Sequence, residues 1–163
     1  MERMKDLGVV IGATPTFIRQ TGDAWRAMLG DKRIERFMVT REWIEAGVHL
    51  AIGADAPAMP WHAPQMTMWA AMTRLPFSRK VLGPGQRMTI HEAMHAHTIG
   101  AAYAAHEEKI KGSIEPGKMA DLAVWTKDPY IQPQQQLHSV TIDLTMVGGK
   151  VVYQRAQMPI KSA

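Results

Sequence analysis

The chain has 163 residues, 46% of them hydrophobic and 21% charged, the composition of an ordinary globular protein able to bury one sizeable core. The absence of cysteine excludes disulfides, zinc–thiolate sites, iron–sulfur clusters and thiol nucleophiles within it. The net charge of +4 comes from 19 basic residues scattered among 15 acidic ones, without the basic runs interleaved with aromatics that mark nucleic-acid binding, and no apolar stretch approaches the roughly 18 residues of a membrane span.

In chain order, Leu7-Gly8-Val9-Val10-Ile11-Gly12 predicts a short buried strand, closed by Ala13-Thr14-Pro15 and followed by a loop. Apolar Ile34, Phe37, Met38, Trp43 and Ile44 then recur at three and four spacing, which predicts a helix between Asp31 and Ala46 with a break near Thr40. Gly47 sits just past its end, where a left-handed residue closes many helices. Val48-His49-Leu50-Ala51-Ile52-Gly53 predicts a second strand, running directly into Ala54-Asp55-Ala56-Pro57. Pro57, Pro60 and Pro64 hold residues 56–64 out of regular structure, and a helical pattern resumes over Gln65 to Arg74.

After a loop from Pro76 to Arg87, Thr89-Ile90-His91-Glu92 matches a capping box and starts a helix running to His97, with Thr98 placed to cap a second one over Ile99 to Ala105. The period then changes. Turns at Gly112-Ser113 and Glu115-Pro116-Gly117-Lys118 precede strands at Ala120 to Trp125, Val140 to Val147 and Val151 to Tyr153, the last two joined by Gly148-Gly149 as a tight hairpin. Strands alternating with helices, then strands with turns, predict a segment of a parallel sheet or barrel followed by a small antiparallel unit.

Ligands of parallel α/β folds bind at the carboxyl ends of the strands, so Asp55 is a site candidate by position. A carboxylate there can ligate a hard or borderline cation, accept a proton from an activated water, or both. The alternative is a turn or helix-capping role, common for Asp before Pro. Trp61 and His62, in the proline-rich loop that follows, are placed to touch a substrate, against the alternative of a solvated loop histidine. His95-Ala96-His97 has the form of a metal pair, but it lies inside a helix, where residues two apart point about 200° from one another. His91 and His95 share a helix face yet lack a third ligand nearby. No phosphate loop or serine-nucleophile elbow is present.

The run Gly47-Val48-His49-Leu50-Ala51-Ile52-Gly53-Ala54-Asp55-Ala56-Pro57 resembles the last barrel strand of the amidohydrolase superfamily. So does the block from Thr89-Ile90-His91-Glu92-Ala93 through Gly112-Ser113-Ile114-Glu115-Pro116-Gly117-Lys118-Met119-Ala120-Asp121-Leu122, and the closing Val147-Gly148-Gly149-Lys150. The branch it is most similar to is that of D-aminoacylases and N-substituted formamide deformylases, the family 3 type. That resemblance implies an α/β fold: the C-terminal part of a metal-dependent hydrolase (β/α)8 TIM barrel over residues 1–110, then part of a β-sandwich over 111–163. It implies hydrolysis of a non-peptide C–N bond of amide, N-acyl or formamide type in a small-molecule substrate, with a divalent metal, usually zinc. In that scheme Asp55 ligates the metal, takes a proton from water and returns it to the leaving nitrogen.

Lys118 and Asp121 are expected to be structural. The family's remaining metal ligands would all precede Met1, so a truncated or split member is expected, active with an upstream barrel segment; a homo-oligomer or a non-catalytic assembly module is the alternative. A cytoplasmic protein that binds neither nucleic acid nor membrane completes the expectation.

Overall fold

The computed structural model describes residues 1–156. The expected C-terminal unit, 111–163, therefore runs past the described residues at 157–163. Helix α1 (Glu2–Asp6) leads into strand β1 (Val10–Ala13), which lies later than the predicted 7–12 because Gly8, at φ +65°, is spent on turning the chain out of α1.

The segment after Pro15, predicted as a loop, is instead helix α2 (Thr16–Ile34), kinked at Gly30. Its inward face is built from Thr16, Ile18 and Gly22, so it carries little hydrophobic signal, while apolar Met28 is 75% exposed. Gly22 is required by close approach: a Cβ there would meet Leu82 Cδ1 at 2.5 Å. The predicted helix over 31–46 accordingly divides, its C-terminal part forming α3 (Thr40–Glu45). The break falls at residues 35–39, with Met38 at φ +50°.

Strand β2 (His49–Ile52) returns parallel to β1, pairing Val10 with His49 and Ala13 with Ile52. Helix α4 (Pro64–Thr73) follows, with proline at its start, where the missing N–H costs nothing. Helix α5 (Ile90–His97) opens on the predicted capping box: Thr89 Oγ1 accepts from Glu92 N–H at 3.2 Å and Glu92 Oε2 accepts from Thr89 N–H at 2.7 Å. Helix α6 (Ile99–Ala104) begins without the predicted Thr98 side-chain cap, because that hydroxyl donates backwards to Met94 O at 2.8 Å. The main core lies between the β1–β2 pair and helices α4 and α5, filled by Leu50, Ile52, Met68, Met72, Met88 and Ala93. Three of those six are methionines, whose unbranched chains suit irregular gaps.

Strands β3 (Leu122–Trp125), β4 (Ile142–Val147) and β5 (Lys150–Gln154) form a separate antiparallel sheet in that order. The start predicted for β4, at Val140, moves to Ile142 because residues Gln134–Ser139 wind into a 3-10 turn whose Leu137 is buried in the main core. Gly148 and Gly149, at φ +55° and +77°, make the predicted hairpin, and Gly148 N–H donates to Asp121 Oδ1 at 2.7 Å. Lys118 Nζ bonds Ser113 Oγ at 2.5 Å. Both residues thus hold turns.

The capping carboxylate does double duty, since Arg41 Nη1 and Nη2 of α3 donate to Glu92 Oε1 and Oε2 at 2.6 and 2.8 Å. Burial works to raise the Glu92 carboxyl, but the hydrogen bonds from Arg41 and Thr89 outweigh it and hold the group below its ordinary range. A depressed carboxyl contributes stability above its unfolded pKa and loses it as pH falls through the folded one. Glu92→Gln is therefore expected to cost about 1–2 kcal/mol at neutral pH and to flatten the acid limb of a stability–pH curve taken by urea denaturation.

Candidate active site at the carboxyl ends of the parallel strands

Because β1 and β2 run parallel, both deliver their following loops to one end of the sheet. Gly53 N–H donates to Ala13 O at 3.0 Å, extending the pairing one residue past β2, and Thr16 Oγ1 donates to Ala54 O at 3.3 Å. The first turn of α2 is thereby tied to the residue before Asp55. Asp55 has φ +56°, a left-handed conformation that Asp tolerates better than most residues, and its carbonyl accepts from Met59 N–H at 3.0 Å.

Among the described residues, the Asp55 side chain is exposed and its carboxylate takes part in no hydrogen bond or ion pair. No helix starts at it. Asp55 thus sits at the start of a turn closed by its backbone carbonyl, while its carboxylate is left unbonded among the described residues.

Trp61 is half-buried, its ring 5.9 Å from that of Phe77, whereas His62 is exposed. The structure thus brings Trp61 into a cluster at this end and gives His62 no partner among the described residues. Sequence reasoning missed the rest of that cluster. Arg19, one turn into α2, sets its guanidinium carbon 4.0 Å from the centre of Phe77 and 5.8 Å from that of Trp69, and donates to Pro76 O at 2.8 Å. The only available signal was its position three residues after Thr16, which is informative only once 16–34 is known to be helical.

The helix histidines separate as their geometry requires. His91 and His95 line a cavity of about 520 Å³ beside the start of β2, with His49 stacked on Tyr103 at 3.9 Å. His97 lines a different groove, of about 970 Å³, between α5, α6 and β3. Its Nε2 is buried without a partner, and burial pushes its pKa down. No group of three or more His, Cys, Asp or Glu side chains able to hold a metal occurs among the described residues. A zinc site needs about three protein ligands. The residues present therefore do not make a metal site by themselves, and Asp55 offers a single donor.

A parallel strand pair joined by helices, with a bare carboxylate just past its second strand, continued by a small antiparallel sheet, makes this a mixed α/β protein. Its sequence matches the Amidohydrolase family, of the family 3 type, over residues 1–153, and the chain belongs to that family. It is 30% identical over 155 residues to an N-substituted formamide deformylase of Arthrobacter pascens, covering 94% of this chain and 28% of that protein. It is 32% identical over 120 residues to an imidazolonepropionase of Geobacillus thermodenitrificans, covering 74% and 26%. Among solved structures, a metal-dependent hydrolase of Pyrococcus horikoshii superposes with a TM-score of 0.68 at 27% identity, over 82% of this chain and 27% of that one. The chain thus spans under a third of the length of these relatives. No helix among the described residues is long and apolar enough to cross a membrane.

Proposed function

We propose that the chain contributes to a metal-dependent hydrolase of non-peptide C–N bonds, of amide, N-acyl or formamide type, acting on a small-molecule substrate. Residues 1–110 are read as the C-terminal segment of a (β/α)8 barrel and 111–163 as strands of the β-sandwich beside it. The observation that carries the reading is the unspent Asp55 carboxylate at the end of β2, in a family whose relatives include a formamide deformylase. Asp55 serves as proton acceptor from the attacking water and proton donor to the leaving nitrogen, and as one donor to a divalent metal, zinc by resemblance. Trp61 and His62 lie on the substrate side of the site. The expected compartment is the cytoplasm.

Further barrel strands, from an upstream segment or a separate chain, complete the site in this reading. Two features support that need: β1 and β2 are a two-stranded parallel sheet with both outer edges unpaired among the described residues, and Val147, Val151, Val152 and Tyr153 on the second sheet are 45–62% exposed. The same features favour a second reading, a non-catalytic module that assembles through those edges with itself or a partner. Mixing the chain with the upstream portion of the deformylase relative decides between them. Chelator-sensitive hydrolysis of N-formyl amines by the mixture, absent from either part, is the expected result; assembly without turnover under saturating zinc selects the module.

A further inference from the structure

His91-Glu92-Ala93-Met94-His95, on α5, has the H-E-x-x-H spacing that sets two imidazoles on one face of a helix to grip a transition metal, with the glutamate as general base. The capping box starts α5 at Ile90, so both histidines lie in regular helix, their Cβ atoms about 5–6 Å apart as i, i+4 neighbours are. Both are exposed, and neither imidazole takes part in a hydrogen bond or ion pair among the described residues. The His91 ring rests against Tyr130, centroids 4.7 Å apart. The glutamate is not free for chemistry. Arg41 and Thr89 occupy both of its oxygens, so the spacing here supports holding an ion and not hydrolysis at one.

A second observation points to a cation. Glu108 lines the same cavity of about 520 Å³ as His91 and His95; its Oε2 is buried without a hydrogen-bond partner, and it makes no ion pair among the described residues. A buried carboxylate oxygen that no protein cation answers favours positive charge in the space beside it. His49, on the same cavity, is stacked on Tyr103 at 3.9 Å.

Two imidazoles fall short of the roughly three protein donors of a zinc site. They suit Cu²⁺ or Ni²⁺, which favour imidazole nitrogen and accept water in the remaining positions of a tetragonal shell. We propose that His91 and His95 form a binding site for a divalent late transition metal in the cavity at the start of β2, the opposite end of that strand from Asp55. The site is independent of the hydrolase reading, and its ion is not the one that reading gives to Asp55.

Calorimetric titration of the 163-residue chain with Ni²⁺ tests it. One ion per chain is expected, and His91→Asn and His95→Asn are each expected to weaken binding by about 10²-fold, because the second nitrogen binds intramolecularly once the first is engaged. Ni²⁺ is also expected to raise the urea midpoint of the wild type and not of either variant, since it binds only the folded pair. His138→Asn, which removes a lone exposed histidine elsewhere, is expected to leave the affinity unchanged. The electron paramagnetic resonance spectrum of the Cu²⁺-loaded wild type is expected to show coupling to two imidazole nitrogens, and it decides the matter if a variant melts. Wild-type affinity no greater than that of the single variants, coupling to one nitrogen alone, or one ion per two chains overturns the proposal.

Discussion

Asp55→Asn is expected to lower kcat for amide hydrolysis by the completed barrel by roughly 10²–10⁴-fold, the usual worth of a positioned general acid–base. Asparagine keeps the shape of the side chain and tolerates the left-handed backbone that φ +56° imposes. What it removes is the proton-accepting oxygen. Because the carboxylate is exposed and bonds to nothing among the described residues, stability should stay within about 0.5 kcal/mol of wild type, as for surface substitutions away from special features. Asp55→Ala is the poorer test, since alanine resists positive φ and would mix a backbone effect with the chemical one. Steady-state kinetics beside a thermal melt separates the outcomes, and an undiminished kcat in a folded Asp55→Asn protein removes Asp55 from the chemistry.

Arg74→Met is expected to be strongly destabilising, by about 3 kcal/mol or more, because two carbonyls, Leu82 O and Phe37 O, would be left without a donor. Arg74 is 0% exposed and sits at the end of α4 with φ +54°. Its Nε and Nη1 donate to Leu82 O at 2.5 Å and Met38 O at 3.2 Å, and Nη2 to Phe37 O. It thereby fastens the break between α2 and α3 to the loop after α4. Burial is the main influence on its pKa, pulling it below the ordinary arginine range to about 10, with Glu35 opposing the shift. The unfolded chain therefore binds the extra proton above about pH 10, and wild-type stability gains a rising contribution as pH climbs past that value. The methionine variant should lack that contribution. Urea denaturation at neutral and high pH measures both effects.

How much of this was legible in the sequence depended on how loudly each segment's physics is written in side-chain type. Strand β2 and its terminal Asp55 were readable because an apolar run is bracketed by Gly47 and Gly53. The capping box and the Gly148-Gly149 hairpin were readable because each depends on residues close in sequence. Helix α2 was not, since threonine and glycine share its buried face with only Ile18 and Ile34, and its burial depends on Leu82 and Pro76, far along the chain. With α2 unread, Arg19 had no position, and the aromatic cluster at the site stayed invisible although Trp61 was in view. Arg74 shows the same limit: nothing local distinguishes an arginine that will be wholly buried from one that will sit in water.

The register of the β1–β2 pair has a kinetic consequence. Val10 meets His49 across two intervening helices, α2 and α3, whereas Val147 meets Lys150 across two glycines. A hairpin of the second kind closes in about 1–10 μs, while a parallel pairing must first offset the entropy of a long loop. The antiparallel unit is therefore expected to form early and the strand pair late. Asp55 acquires its place only with that late step, so the residue proposed to carry the chemistry is expected to be among the last organised as the chain folds.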